Sequence, residues 1–139
     1  MSEAASPPTA GRAPSLDDVA AMAEAAFEAL PQAFKAMTGQ ILFRVEDFAA
    51  EAVLDQLGIE DPFELTGLYS GADLSRRSMF EQAPQPSVVF LYRRPILDEW
   101  AEHGEITLEE LVTHVLVHEI GHHFGLSDDA IHAIEAQAE

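Results

Sequence analysis

Residues 107–128 read Thr-Leu-Glu-Glu-Leu-Val-Thr-His-Val-Leu-Val-His-Glu-Ile-Gly-His-His-Phe-Gly-Leu-Ser-Asp. Thr107 and Glu110 form a Thr-x-x-Glu capping box, which starts a helix by satisfying two of its unpaired backbone donors. Leu108, Leu111, Val112, Val115 and Leu116 supply an apolar face at helical spacing. The helix is expected to run to Phe124 and to stop at Gly125, the residue type that terminates helices in the left-handed conformation. Ser127 then caps a last short helix through about Ala136.

Inside the capped helix lies His118-Glu119-Ile120-Gly121-His122. Histidines at i and i+4 project from one face and can share one ion. Glu119 is rotated by about 100° from His118. It can stand beside such an ion and address its water without ligating, which suits the general base of a zinc hydrolase. A His-Glu-x-x-His string has a chance of roughly 3% in a chain of this composition. Requiring Gly125 and Asp128 as well lowers the coincidence to about one in ten thousand. Asp128 follows His122 by six residues, just past the turn that Gly125 permits. Two histidines and Asp128 leave a fourth position for water, as catalytic zinc requires.

The competing readings are specific. His118 and His122 can be solvated or packed helix histidines, and Ser-Asp-Asp at a helix start is also ordinary capping chemistry. His132 and Glu135 compete with Asp128 for the third ligand position. His114 lies about 12 Å along the helix from His122 and cannot join both motif histidines on one ion; exposure or support of the ligands is expected. His123 points about 100° from His122 and reads as packed or supporting. His103 is read as an inert loop residue, and Gly121 as a point of close packing. Tyr69 and Tyr92 are candidates for stabilising an oxyanion, with packing as the commoner role for strand tyrosines.

Outward from the motif, Ser87-Val-Val-Phe-Leu-Tyr92 is the clearest strand, bounded by Pro86 and Pro95. Ile41–Phe43–Val45 alternate as in a half-buried strand, and Gly67–Gly71 fits a short strand or turn. Helices are expected over 15–30, over 49–57 closed by Gly58, and from Pro95 to Glu102. Residues 72–86 read as loop. Residues 1–14, with three prolines, read as a disordered tail, leaving 15–139 as one domain.

The chain has 139 residues, 25 Asp and Glu against 7 Lys and Arg, no Cys, and a formal charge of −18. That balance argues against nucleic acid and anionic membrane surfaces as partners. The absence of Cys removes thiolate metal sites and Cys nucleophiles. No stretch reads as a signal peptide or a membrane span, so a cytoplasmic location is expected. After Arg94 there is no Lys or Arg, while eleven acids follow. Arg76, Arg77, Arg93 and Arg94 are expected to pair with those acids.

The pattern His118-Glu-x-x-His122-x-x-Gly125-x-x-Asp128 resembles the zincin motif in its Asp form. The wider run resembles the small bacterial zincin-like metallopeptidases sometimes called mini-zincins. Gly67-Leu-Tyr-Ser-Gly71, Leu91-Tyr-Arg-Arg-Pro-Ile96 and His122-His-Phe-Gly-Leu-Ser-Asp128 add to a likeness over about residues 35–135. It implies a compact α+β domain, a small mixed sheet packed on helices, with the motif helix near the C-terminus. It also implies a zinc-dependent metallopeptidase holding Zn²⁺ through His118, His122 and Asp128, with Glu119 catalytic. Related metzincins carry a His at the position of Asp128 and a Met-containing turn beneath the site. Here the last methionine is Met79, so the floor is expected from the final helix. The expected partner is a peptide or unfolded protein substrate, and homodimer formation is left open. The alternatives are a catalytically weak or inactive scaffold that binds a partner, and a hydrolase of a non-peptide bond.

Overall fold

A computed structural model describes residues 13–70 and 87–138. The expectations for residues 1–12 and 72–86, including the tail, the loop and the pairing of Arg76 and Arg77, lie outside the described residues.

The first helix, α1 (Leu16–Glu28), starts at a capping box: Ser15 Oγ accepts from the Asp18 amide and the Asp18 carboxylate from the Ser15 amide. Val19, Ala23 and Phe27 bury its apolar stripe. A short helix that periodicity does not announce follows immediately, α2 (Gln32–Thr38), seating Phe34 in the core. β1 (Ile41–Glu46) turns Ile41, Phe43 and Val45 toward the core side and leaves Leu42, Arg44 and Glu46 exposed. α3 (Glu51–Leu57) ends at Gly58, whose φ of 72° is the left-handed terminator expected there. A single 3₁₀ turn over Pro62–Glu64 leads into β2 (Gly67–Ser70).

β3 (Ser87–Tyr92) is the central strand, parallel to β1 and antiparallel to β2, in the order β1-β3-β2. The register aligns Phe43, Val89 and Tyr69 in one row and Val45, Leu91 and Gly67 in the next. This face packs on the main core with α1 and α5, while Leu68, Phe90 and Tyr92 meet Ala49 and Leu54 on the other. Both faces of β3 are therefore covered, which is why it reads as a nearly continuous apolar run.

The helix after β3, α4 (Arg93–Glu102), starts two residues before Pro95. Pro95 is third in the helix, where no intrahelical donor is needed and the ring is tolerated. Arg93 binds Asp47 (2.8 Å) and the Pro14 carbonyl, and the Arg94 guanidinium lies over the Phe48 ring. These two arginines thus fasten the end of β3 to the segment after β1, not to the described acids that follow in the chain, because α4 begins directly beside Asp47.

The motif helix, α5 (Leu108–His123), carries the expected box between Thr107 and Glu110. Leu111, Val112, Val115, Leu116, Val117 and Ile120 are buried, each worth about 1.5–3 kcal/mol relative to exposure. It packs on α1, α4, β2, β3 and α6. Gly125 ends it with φ 76°, and the Leu126 and Gly125 amides bond back to the carbonyls of Gly121 and His122. Those two bonds form a Schellman turn, which reverses the chain. Ser127 then caps α6 (Asp128–Ala138) through the Ala130 amide. None of the described helices is long and apolar enough to cross a membrane.

Candidate metal centre

Most of the circumference of α5 is spent on the core. What remains toward α6 is a stripe of histidines at four-residue intervals: His114, His118 and His122. Their rings follow one another at 4.0 Å and 5.4 Å between centroids. The reversal at Gly125 lays α6 beside this stripe and presents two carboxylates to it. Asp128 Oδ1 lies 3.5 Å from His122 Nε2, and Glu135 Oε1 lies 3.3 Å from His118 Nε2. The other Glu135 oxygen contacts His114 Nδ1 at 2.9 Å.

The two arms differ in exposure. The side chains of His122 and Asp128 are 55% and 78% exposed, against 21% and 20% for His118 and Glu135. His118 Nε2 is itself buried and, among the described residues, has no hydrogen-bond partner. Its contact with Glu135 is close without having hydrogen-bond geometry. Burial, and next the charge of His114, push the His118 pKa below the ordinary imidazole value, with Glu135 opposing. In the tautomer that carries its proton on Nδ1, this Nε2 offers a lone pair to a cation beside carboxylate oxygens, and a buried polar atom left bare costs about 1–3 kcal/mol. The donor set, imidazole nitrogen and carboxylate oxygen, is the one zinc takes in the absence of thiolates. The residues present fit a metal.

Glu119 stands one residue round α5, facing the sheet. A Cβ on Gly67 would come within 3.3 Å of Glu119 Cγ, 2.8 Å of Val115 Cγ1 and 3.1 Å of the Phe90 carbonyl. Only glycine lets β2 approach the motif helix at this point. Burial raises the Glu119 pKa above the usual carboxylate range, with His122 as the opposing influence.

Among the other candidates, His132 is exposed, its ring 6.0 Å from that of His118. His123 packs edge-on against Tyr69, with centroids 4.3 Å apart. Tyr69 donates to Ser87 Oγ (2.7 Å), which in turn reaches the Thr38 carbonyl. Tyr92 is buried in the second apolar cluster, its pKa pushed up to about 12 by burial and then by Glu46 and Glu119. Both tyrosines are core residues. His103 caps the end of α4 and lines a cavity beside His114. The distance of His114 from His122 along α5 does not reveal its surroundings, which the return of α6 sets. His114 is one turn from His118, and that pair shares Glu135.

A family model for zincin-like metallopeptidases matches residues 38–138, so the chain belongs to the zincin-like metallopeptidase family. The match runs from the end of α2 through α6 and includes every residue of the histidine stripe. Comparison with curated proteins returns no match.

Proposed function

We propose that the protein is a zinc-dependent peptidase in which His118, His122 and Asp128 hold the metal and Glu119 is the general base. The observation that carries this reading is the position of Glu119, a half-buried carboxylate next to the histidine pair and against Gly67 of an edge strand. When bound, zinc supplies Lewis acidity that polarises a carbonyl and lowers the pKa of water toward about 7.

The chain's own residues do the rest. Glu119 takes a proton from the attacking water onto its carboxylate and returns it to the departing amine. Its raised pKa brings it closer to the working pH, which favours both halves of that transfer. Among the described residues β2 ends the sheet on the side away from β3, so an extended peptide can add to it through main-chain hydrogen bonds. Gly67 keeps that strand close enough to α5 for such a peptide to reach Glu119. Main-chain pairing to an edge strand needs an extended segment, which suits short or unfolded peptides better than native proteins, and the exposure of His122 and Asp128 leaves the site open to it.

That exposure also supports the second reading, a scaffold that binds a partner without turnover. Elemental content and one variant separate the two. One equivalent of zinc in the purified protein, with peptide cleavage lost in Glu119→Gln while metal is retained, supports the peptidase. A folded protein that takes up no zinc, or a Glu119→Gln variant as fast as wild type, rejects it.

A further inference from the structure

We propose that His114, His118 and Glu135 form a second position for a divalent transition-metal ion, which shares His118 with the motif set and so competes with it. One atom from each of the three lies within 4.8 Å of the others. The Glu135 carboxylate is divided between the two histidines, one oxygen 2.9 Å from His114 Nδ1 and the other 3.3 Å from His118 Nε2. Neighbouring ligands around a tetrahedral ion with bonds of about 2.0–2.2 Å stand roughly 3.3–3.6 Å apart. Small side-chain shifts therefore admit an ion between all three. The buried, unpartnered Nε2 of His118 already points at this carboxylate.

The position repeats the local pattern of the motif one turn earlier. His114 and His118 are an i, i+4 pair on α5, as His118 and His122 are, and each pair faces a carboxylate from α6. Two imidazoles and one carboxylate select a borderline cation such as Zn²⁺, Co²⁺ or Ni²⁺ over Mg²⁺ or Ca²⁺. An approach exists: His114 and Glu135 form one wall of a cavity of about 600 Å³, to which Glu99, Glu102, Glu105 and Glu110 also contribute. Those carboxylates concentrate cations in it.

A neutral imidazole has one lone-pair nitrogen, so His118 serves a single ion at a time. The chain consequently holds one ion in either of two places about 6 Å apart along α5. An ion at the earlier place withdraws His118 from the pair beside Glu119. This inference does not depend on the peptidase reading, since it needs no catalysis.

The test is Co²⁺ uptake by metal-free full-length protein, read as bound equivalents after dialysis and as the visible absorption of the ion. Circular dichroism checks the fold of each variant. His114, His122 and Asp128 are substantially exposed, so replacing them leaves the core intact. The His122→Ala/Asp128→Ala protein is expected to keep one equivalent and to lose it when His114→Ala is added. A folded double variant that takes up no Co²⁺, or a triple variant that binds as tightly as the double, overturns the proposal. The His114→Ala/Glu135→Gln protein reports on the motif set alone. Its loss of Co²⁺ alongside retention in the double variant removes the metal set of the proposed peptidase and leaves this position standing.

Discussion

Ile131 of α6 lies directly on Gly121 of α5: a Cβ at Gly121 would stand 2.7 Å from Ile131 Cγ1 and 2.9 Å from its Cδ1. Ile131 is fully buried, so it cannot swing away. This contact sets how closely α6 approaches the histidine stripe, and hence where Asp128 and Glu135 stand. Gly121→Ala gains up to about 1 kcal/mol in helix propensity but overpacks the contact, at about 1–3 kcal/mol. The expected outcome is net destabilisation with weakened metal uptake. Thermal denaturation and Co²⁺ titration of the same variant measure the two effects, and unchanged uptake in a destabilised protein would detach the α5–α6 contact from the metal site.

Gly67 does for β2 what Gly121 does for α6. Its missing side chain brings the edge strand onto Val115 and Glu119, and the Phe90 carbonyl, being backbone, cannot yield to a methyl group. Gly67→Ala is expected to cost about 1–3 kcal/mol by forcing β2 outward. On the proposed peptidase reading, hydrolysis should fall further than the loss of folded protein accounts for, because the strand proposed to position the substrate has moved from Glu119. Activity per folded molecule, with the folded fraction taken from denaturation curves, checks this. A full specific activity would argue that peptides bind elsewhere.

Glu119→Gln separates chemistry from folding. Loss of the proposed base is expected to reduce hydrolysis by about 10²–10⁴-fold or more while metal uptake stays. Stability should move the other way in metal-free protein. A carboxyl whose folded pKa is raised contributes stability below its unfolded pKa, and that contribution is lost as pH rises through the folded value. As pH rises through the folded value, Glu119 thus becomes a burden that neutral Gln lacks. Denaturant titrations at pH 7 and at pH 4 are expected to show Gln the more stable at the first, with the advantage shrinking at the second.

How much of this was legible in the sequence follows the range of the interactions. The capping box at Thr107, the terminator Gly125 and the alternation in β1 are local, and each stands where the sequence puts it. α2 has only Phe34 and Thr38 buried over seven residues, too short a pattern for periodicity to register. Pro95 reads as the first residue of a helix, yet proline is equally harmless at the third position, so α4 begins earlier. The distribution of arginine contacts depends on the parallel pairing of β1 with β3, which puts Asp47 beside Arg93 and away from the C-terminal acids. The candidate site divides the same way. The spacing of His118, Glu119 and His122 fixes their faces on one helix, whereas the division of Glu135 between His114 and His118 depends on the angle at which α6 returns. That angle is set by Gly121 against Ile131, a tertiary contact that spacing does not encode.

The pH dependence of the site follows from His118. Burial first, and then His114, lower its pKa in the metal-free protein. A histidine whose folded pKa is depressed contributes stability that is present above the unfolded value, near 6.5, and is lost as pH falls through the folded value. Metal-free protein should therefore lose stability on acidification below about pH 6.5, and His118→Gln should flatten that slope. Metal uptake is steeper, because every histidine ligand must be neutral to bind. Wild type is expected to release its metal as pH falls below about 6, near the reference imidazole value. Dialysis against a pH series followed by elemental analysis measures this, and full retention at about pH 4.5 would exclude the histidines as the ligands that hold the ion.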